Sequence, residues 1–405
     1  METTLDPEHV INLASELGQV FATRAVTHDR EGSFPVQDFA DLTAAGLLGI
    51  MVPASKGGMG ADFLTYTKVL EQIGKGHAAT ALTFNMHNIV MGGVAELDLA
   101  EIPGRHGDRM RGFADWLFSQ AIEGGKVFAS ATTEPGVGAK YSQLKTTYQR
   151  TEDGYILNGV KSFVSMAGFA DYYVVAARPA ADTTGSVPTL SYFCIAKDSP
   201  GITIEEVWDV LGMRATTSNT VYLEDVFVPK ELLFMGSEGM AFYKLLSQPH
   251  WQVGGYNGAY LGISAAIMEF TTDYLAKKAI AGTDRTGADD PVVQYQIGEM
   301  DIKLASARAV TYEAARLVTK QPGTEEANVA IHRAKYLVGE VAPELASMAI
   351  RICGGSTISK RMPLERLYRD ARCGGLMPAK SDDCLRYVGK ASLGTDVTKL
   401  EESYW

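Results

Sequence analysis

Thr132-Thr133-Glu134-Pro135-Gly136-Val137-Gly138 and Asn158-Gly159-Val160-Lys161-Ser162-Phe163-Val164-Ser165 are the two strings on which the reading of this chain turns. In the first, paired hydroxyls precede a proline and glycines. Such a loop exposes backbone N–H groups fit for a polar ring edge or a phosphate. In the second, an Asn-Gly turn enters a strand that carries an aromatic ring and a hydroxyl on one face. Taken alone, the first string reads as a plain surface turn and the second as a hairpin. A third string, Arg351-Ile352-Cys353-Gly354-Gly355, reads alone as a helix closed by glycines.

Around these strings the texture of the chain changes twice. Residues 1–125 carry helix-like apolar spacing, with Phe39, Leu42, Leu47 and Leu48 in one run and Phe63 to Ile73 in another. Val52 to Gly60 is a turn cluster between them, and His77 to Val94 is apolar enough for a buried helix. Residues 126–235 hold short β-type runs, among them Tyr172 to Ala176, Leu190 to Ile195 and Val221 to Leu223. Their close spacing, with no helices between them, predicts an antiparallel barrel or sandwich. Residues 236–405 return to helical periodicity over Tyr260–Lys277, Val293–Val318 and Ala327–Cys353, lengths that suit a four-helix bundle. The expected fold class is α+β: a helical domain, a central β domain and a helical bundle.

Composition narrows the function. A net charge of −11 over 405 residues argues against a nucleic-acid or anionic-membrane surface. The four cysteines (Cys194, Cys353, Cys373 and Cys384) form no CxxC pair, so free thiols in a reducing, cytoplasmic setting are expected. No run approaches the ~20 apolar residues of a membrane helix. The histidines show no metal-ligand spacing, so no metal is expected. A Rossmann glycine string after a strand, a P-loop and a Gly-x-Ser-x-Gly elbow are all missing.

In this order and this three-part layout, the strings resemble the acyl-CoA dehydrogenase superfamily over nearly the whole chain. Gly57 to Gly60 matches its N-terminal loop. Leu211-Gly212-Met213-Arg214 and Leu223-Glu224-Asp225-Val226-Phe227-Val228-Pro229 match the end of its β domain. Cys353-Gly354-Gly355 and Pro363 to Arg372 match the segment before its catalytic position. The resemblance implies a non-covalent flavin, FAD in most members with FMN as the alternative, and a homodimer or homotetramer. It assigns the cofactor to Thr132, Thr133, Gly138, Ala139, Phe163 and Ser165, with Arg285, Arg351, Gly354 and Gly355 serving a neighbouring subunit's cofactor. Phe163 would stack on the ring and Ser165 would face N5.

The match breaks where the family places its base. Eight residues past Asp370, where most members carry a Glu, stands Pro378, which cannot accept a proton. The alternative position falls near Gln252, followed by Val253 in place of an Arg. Two histidines, His250 and His87, are the candidate replacements, because an imidazole exchanges protons near neutrality. Structural roles are the competing reading of both. Asp382 and Asp383 read as the acidic first turn of a helix, and Glu134 as a residue held in the loop. The Arg-x-x-Phe-Gly of the family gives way to the Gly282 to Pro291 loop, and its Gln to Arg351. Three functions remain: dehydrogenation of an acyl-thioester with hydride transfer to flavin N5, flavin-dependent hydroxylation with O₂, and a non-catalytic flavin-binding subunit.

Overall fold

The computed structural model describes residues 5–138, 140–181, 189–399, 402 and 404. Its first helix, α1 (Pro7–Glu31), starts where the Asp6 carboxylate accepts from the Glu8 N–H at 3.0 Å. It stops at Gly32, whose left-handed φ of 65° closes the last turn. Then come α2 (Val36–Ala44), α3 (Phe63–Gly76), α4 (Ala78–Ala95) and α5 (Gly104–Ile122). α4 is apolar on all sides and buried at every position from Ala78 to Val94, so it forms the axis of this part of the molecule.

Seven strands follow: β1 (Phe128–Ala131), β2 (Thr147–Arg150), β3 (Gly154–Val164), β4 (Tyr172–Pro179), β5 (Ser191–Ala196), β6 (Ile202–Glu205) and β7 (Asn219–Pro229). They form one sheet in the order β1-β4-β2-β3-β7-β6, with β5 also on β4. The pairs β2/β3, β4/β5 and β6/β7, consecutive in sequence, are antiparallel, as the short spacing predicts, and so is the non-consecutive pair β3/β7. β1 and β2, however, each pair with β4 in parallel. The register of β3 against β7 slips between Lys161 and Val164. That bulge takes Ser162 and Phe163 out of the ladder and turns them toward the site described below.

The rest is helical: α6 (Met240–Ser247), α7 (Pro249–Val253), α8 (Asn257–Lys277), α9 (Pro291–Lys320), α10 (Glu325–Cys353), α11 (Pro363–Arg372) and α12 (Ser381–Ser392). The three long periodic segments predicted from sequence are α8, α9 and α10. α8 crosses α3 at backbone contact. A Cβ at Gly258 would lie 2.5 Å from the Thr67 carbonyl, and one at Gly262 would lie 2.4 Å from that of Glu71. Only glycine permits this approach. α9 is tied to the same helix through the buried Glu71 carboxylate, which Arg308 Nη2 meets at 2.8 Å. Among the described residues no helix is long and apolar enough to cross a membrane.

Candidate active site

The two strings meet. The Ser162 N–H donates to the Thr133 carbonyl at 2.9 Å, so the loop after β1 and the bulged end of β3 form one continuous surface. Thr132 and Thr133 are half-buried there, and Thr132 hydrogen-bonds the Tyr141 hydroxyl. Ser165 is buried, with its hydroxyl 2.8 Å from that of Ser218, which lies 2.7 Å from that of Thr216. Phe163 is 64% exposed and touches Trp208 edge-on at 5.7 Å. Gly138 (φ 69°) closes the 134–138 turn with open space beside it. Ala139 lies outside the described residues.

The backbone of this surface is strained. Phe163, Met166, Met213 and Thr217 all have positive φ, between 43° and 65°. For the β-branched Thr217 this is a genuine outlier. Its buried hydroxyl has no partner. Strain gathered in one place, with an orphaned hydroxyl in it, is the mark of a binding site held in shape by its surroundings. Sequence reasoning missed Trp208, Thr216, Thr217 and Ser218. The run of three hydroxyls after Arg214 was the available signal.

Beneath the surface lies a buried ion pair. Glu134 Oε1 receives Lys161 Nζ at 2.7 Å and the Thr146 N–H at 3.0 Å, and Oε2 receives the Lys145 N–H at 2.6 Å. Burial pushes the Glu134 carboxyl up, but the Lys161 charge and these hydrogen bonds outweigh it and hold it below the usual carboxylate range. Burial lowers the Lys161 ammonium to about 8, still protonated at neutral pH. The pair pins the 132–138 loop to β3, so Glu134 is a structural anchor of the cradle.

A second set of buried polar groups lies on the helices, on α4, α7 and the start of α8. Burial raises the phenols of Tyr256 and Tyr141; hydrogen bonds from Tyr192 and Thr132 oppose this at Tyr141, while Tyr256 also feels the charge of the Tyr141 phenol. On these helices the Asn85 Nδ2, the Trp251 Nε1, both amide atoms of Asn257 and the Tyr260 hydroxyl are buried without a partner. The Tyr260 ring abuts Gly374, where a Cβ would fall 2.9 Å from it. A row of unpaired polar groups in a close-packed interior suits a polar ligand or ordered water.

The two histidines differ. His87 is fully buried, with Nε2 2.9 Å from the Leu48 carbonyl and Nδ1 receiving the Phe128 N–H at 3.2 Å. That fixes the tautomer with the proton on Nε2 and leaves no lone pair for substrate. Burial drives its pKa down to about 4. The expectation of His87 as a base therefore gives way to a structural role: it ties α4 to β1 and to the turn at Leu48. His250 is also buried, against Phe63 and Trp251, but it keeps a nitrogen free. Its Nε2 lies 2.8 Å from Glu96 Oε2, which the Gln248 amide meets at 3.3 Å, while Nδ1 has no partner.

The remaining predicted residues form a second group. Lys278 Nζ donates to the Cys353 carbonyl at 2.8 Å, and the Gly287 N–H donates to the Lys278 carbonyl at 2.7 Å. This joins the loop bearing Arg285 to Gly354 (φ 94°) and the exposed Arg351 and Gly355. The Arg285 guanidinium donates to the Asp289 carbonyl in its own loop. Pro378 is half-buried between the turn Gly374–Leu376 and α12, and Asp382 and Asp383 occupy the first turn of α12.

These features can be set beside known proteins. The acyl-CoA dehydrogenase N-terminal domain matches residues 13–97, the middle domain 129–226 and the C-terminal domain 256–377. The short-chain specific acyl-CoA dehydrogenase of Rattus norvegicus, a mitochondrial protein, is 30% identical over 346 residues, 85% of this chain and 79% of that one. Among solved structures, butyryl-CoA dehydrogenase from Megasphaera elsdenii superposes with a TM-score of 0.85 at 24% identity, over 97% of this chain and 100% of that one. FMN-bound TdsC from Paenibacillus sp. A11-2 does so with a TM-score of 0.83 at 24% identity, over 95% and 97%. At these identities the two structures speak for the fold, and the domain matches with the rat relative speak for descent: the chain belongs to the acyl-CoA dehydrogenase family.

Proposed function

We propose that this protein is a flavin-dependent oxidoreductase that removes a proton and a hydride from the α- and β-carbons of an acyl-thioester. The observation that carries the reading is the bond between Ser162 and Thr133, which makes one strained cradle of the two strings. Its donors fit a flavin: Thr132 and Thr133 for the pyrimidine edge, Ser165 for the N5 side and the exposed Phe163 for stacking. A flavin bound there, FAD or FMN, supplies the hydride-accepting centre. Arg285, Arg351, Gly354 and Gly355 would serve the cofactor of a second copy in a homo-oligomer.

The protein supplies the rest. With Pro378 and Gln252 unable to take a proton, the acceptor is assigned to His250 Nδ1. Glu96 holds the opposite ring nitrogen and stabilises the imidazolium that forms. The unpaired amides of Asn85 and Asn257 hold polar groups of the substrate.

The test is anaerobic titration of the purified flavoprotein with a panel of acyl-CoAs. Bleaching of the oxidised flavin is expected, and His250→Ala should slow it by about 100-fold. A wild-type rate in that variant moves the proton to another group. Pro378 also favours a second reading, hydroxylation by reduced flavin and O₂, on a fold shared with FMN-bound TdsC. Oxygen-dependent product without anaerobic bleaching would establish it in place of the first. No turnover in either assay would leave a flavin-binding subunit of a larger dehydrogenase.

A further inference from the structure

A cavity of about 350 Å³ lies between the last turns of α1, the loop before Arg214 and the first turn of α11. The protein carries a net charge of −11, yet five cationic side chains line this cavity against two carboxylates. Both carboxylates are already committed to one cation. Arg369 meets Asp29 at 2.9 and 2.6 Å and Glu365 at 2.8 and 3.0 Å. Arg214 is held by the Asp29 and Val210 carbonyls and by Asp209.

Three cations are left over. Arg30 and Lys360 are exposed at the rim. Arg366 is only 7% exposed, and its Nη1 is buried without any partner. It stands between this cavity and an adjoining one that it also lines. The buried Asp370 carboxylate, one helical turn on, offsets part of its charge, but Nη1 is left without a hydrogen bond, a gap that a bound anion would fill. α11 adds to this. Its N-terminal turn lines the cavity and has no side-chain cap; Pro363 carries no N–H, so the donors this turn offers are the backbone N–H groups of Leu364 and Glu365.

We propose that this cavity binds a phosphate group, with Arg366 as its buried contact, Arg30 and Lys360 as its rim and the first turn of α11 as its backbone donor. The group is either inorganic phosphate or the phosphate of a nucleotide. The site does not depend on the oxidoreductase reading.

The experiment uses flavin-loaded protein, so that the cofactor's own phosphate sites are filled. Potassium phosphate, pyrophosphate and ADP are each titrated by calorimetry and by thermal melting, against potassium chloride at equal ionic strength. At about 100-fold over its Kd, the bound anion should raise Tm by about 3 °C, while chloride does not. Arg366→Met should weaken binding by at least ~10-fold. Lys360→Gln, an exposed change that leaves folding alone, should weaken it by about 3-fold. ADP binding tighter than phosphate would assign the nucleotide, and equal affinity the free ion. No heat and no shift with any of the three anions, or equal binding by wild type and Lys360→Gln, would overturn the proposal.

Discussion

The β side and the helical side of the molecule differ in how far their buried polar groups are engaged. On the β side, the central charge is fully engaged: the Glu134 carboxylate takes three donors, and the Ser165–Ser218–Thr216 hydroxyls form a chain. On the helical side, Asn85, Trp251, Asn257 and Tyr260 hold buried polar atoms with no partner. The β side thus holds its charged centre without a ligand, although the Thr146 and Thr217 hydroxyls stay unpartnered there. The helical side is completed only when something fills it. The family's departures at the base position, Gln252 and Pro378, fall among the helical segments. A cofactor held in one way demands a fixed frame; a substrate and a reaction that vary are accommodated on the helical side.

Breaking the β side should have the largest effect. Lys161→Met leaves the Glu134 carboxylate buried at 3% exposure with its charge uncompensated. Removing one partner of such a pair costs about 3–5 kcal/mol. Urea unfolding should show that loss, together with reduced flavin content, because the 132–138 loop loses its tether. Lys161→Met with Glu134→Gln should recover part of the stability, since no charge is then stranded. If the single variant unfolds like wild type, the β side is not held by this pair.

The joint between the two sides should respond to acid. His87 bridges α4 to β1, and burial holds its pKa at about 4 instead of 6.5. Between those values the unfolded chain binds the proton and the folded one does not. The stabilisation is therefore complete above the unfolded pKa and is lost as pH falls toward the folded one. The full loss is about 3 kcal/mol. His332, also lowered to about 4 by burial, adds a second such limb. His87→Gln can keep both backbone bonds and does not titrate. Its unfolding free energy should fall less steeply with acid than that of wild type, by close to one proton. Identical slopes would mean that His87 opens to solvent before it is protonated.

How much of this was legible in the sequence follows from the range of the contacts. The long helices announced themselves because apolar periodicity is local, and α8, α9 and α10 lie where it placed them. The cradle strings were legible as strings, but the bond between Thr133 and Ser162 was not, because a one-dimensional pattern carries no distances. The role of His87 was hidden for the same reason: its partners, Leu48 and Phe128, are 39 and 41 residues away. Arg366 looked like one charge among several in an Arg-rich helix. Only folding shows that the Asp29 and Glu365 carboxylates are spent on Arg369 and that one nitrogen of Arg366 is left without a hydrogen bond. The parallel placement of β1 and β2 on β4 was also beyond a strand count, since chain direction within a sheet is set by tertiary crossing.

The smallest expected effect separates strain from contact at Phe163. The residue is exposed, so removing its ring should cost the fold little, but it holds a φ of 54° in the β3 bulge. Phe163→Ala keeps the strained backbone and loses the aromatic plane. Stacking is worth about 1 kcal/mol, so flavin should bind about 5-fold more weakly with Tm of the apoprotein unchanged. Phe163→Gly loses the ring as well, but it also relieves the left-handed strain, which is about 1–2 kcal/mol for a side chain with a Cβ. Apoprotein of the Gly variant should therefore melt higher than that of the Ala variant, while binding flavin no better, because the added backbone freedom must be ordered again on binding. If the Gly variant binds flavin as tightly as wild type, the ring contributes nothing and the β side grips the cofactor through its polar edge alone. If both variants melt alike, the bulge is held by Ser162 and its bond to Thr133 rather than against any intrinsic preference of residue 163.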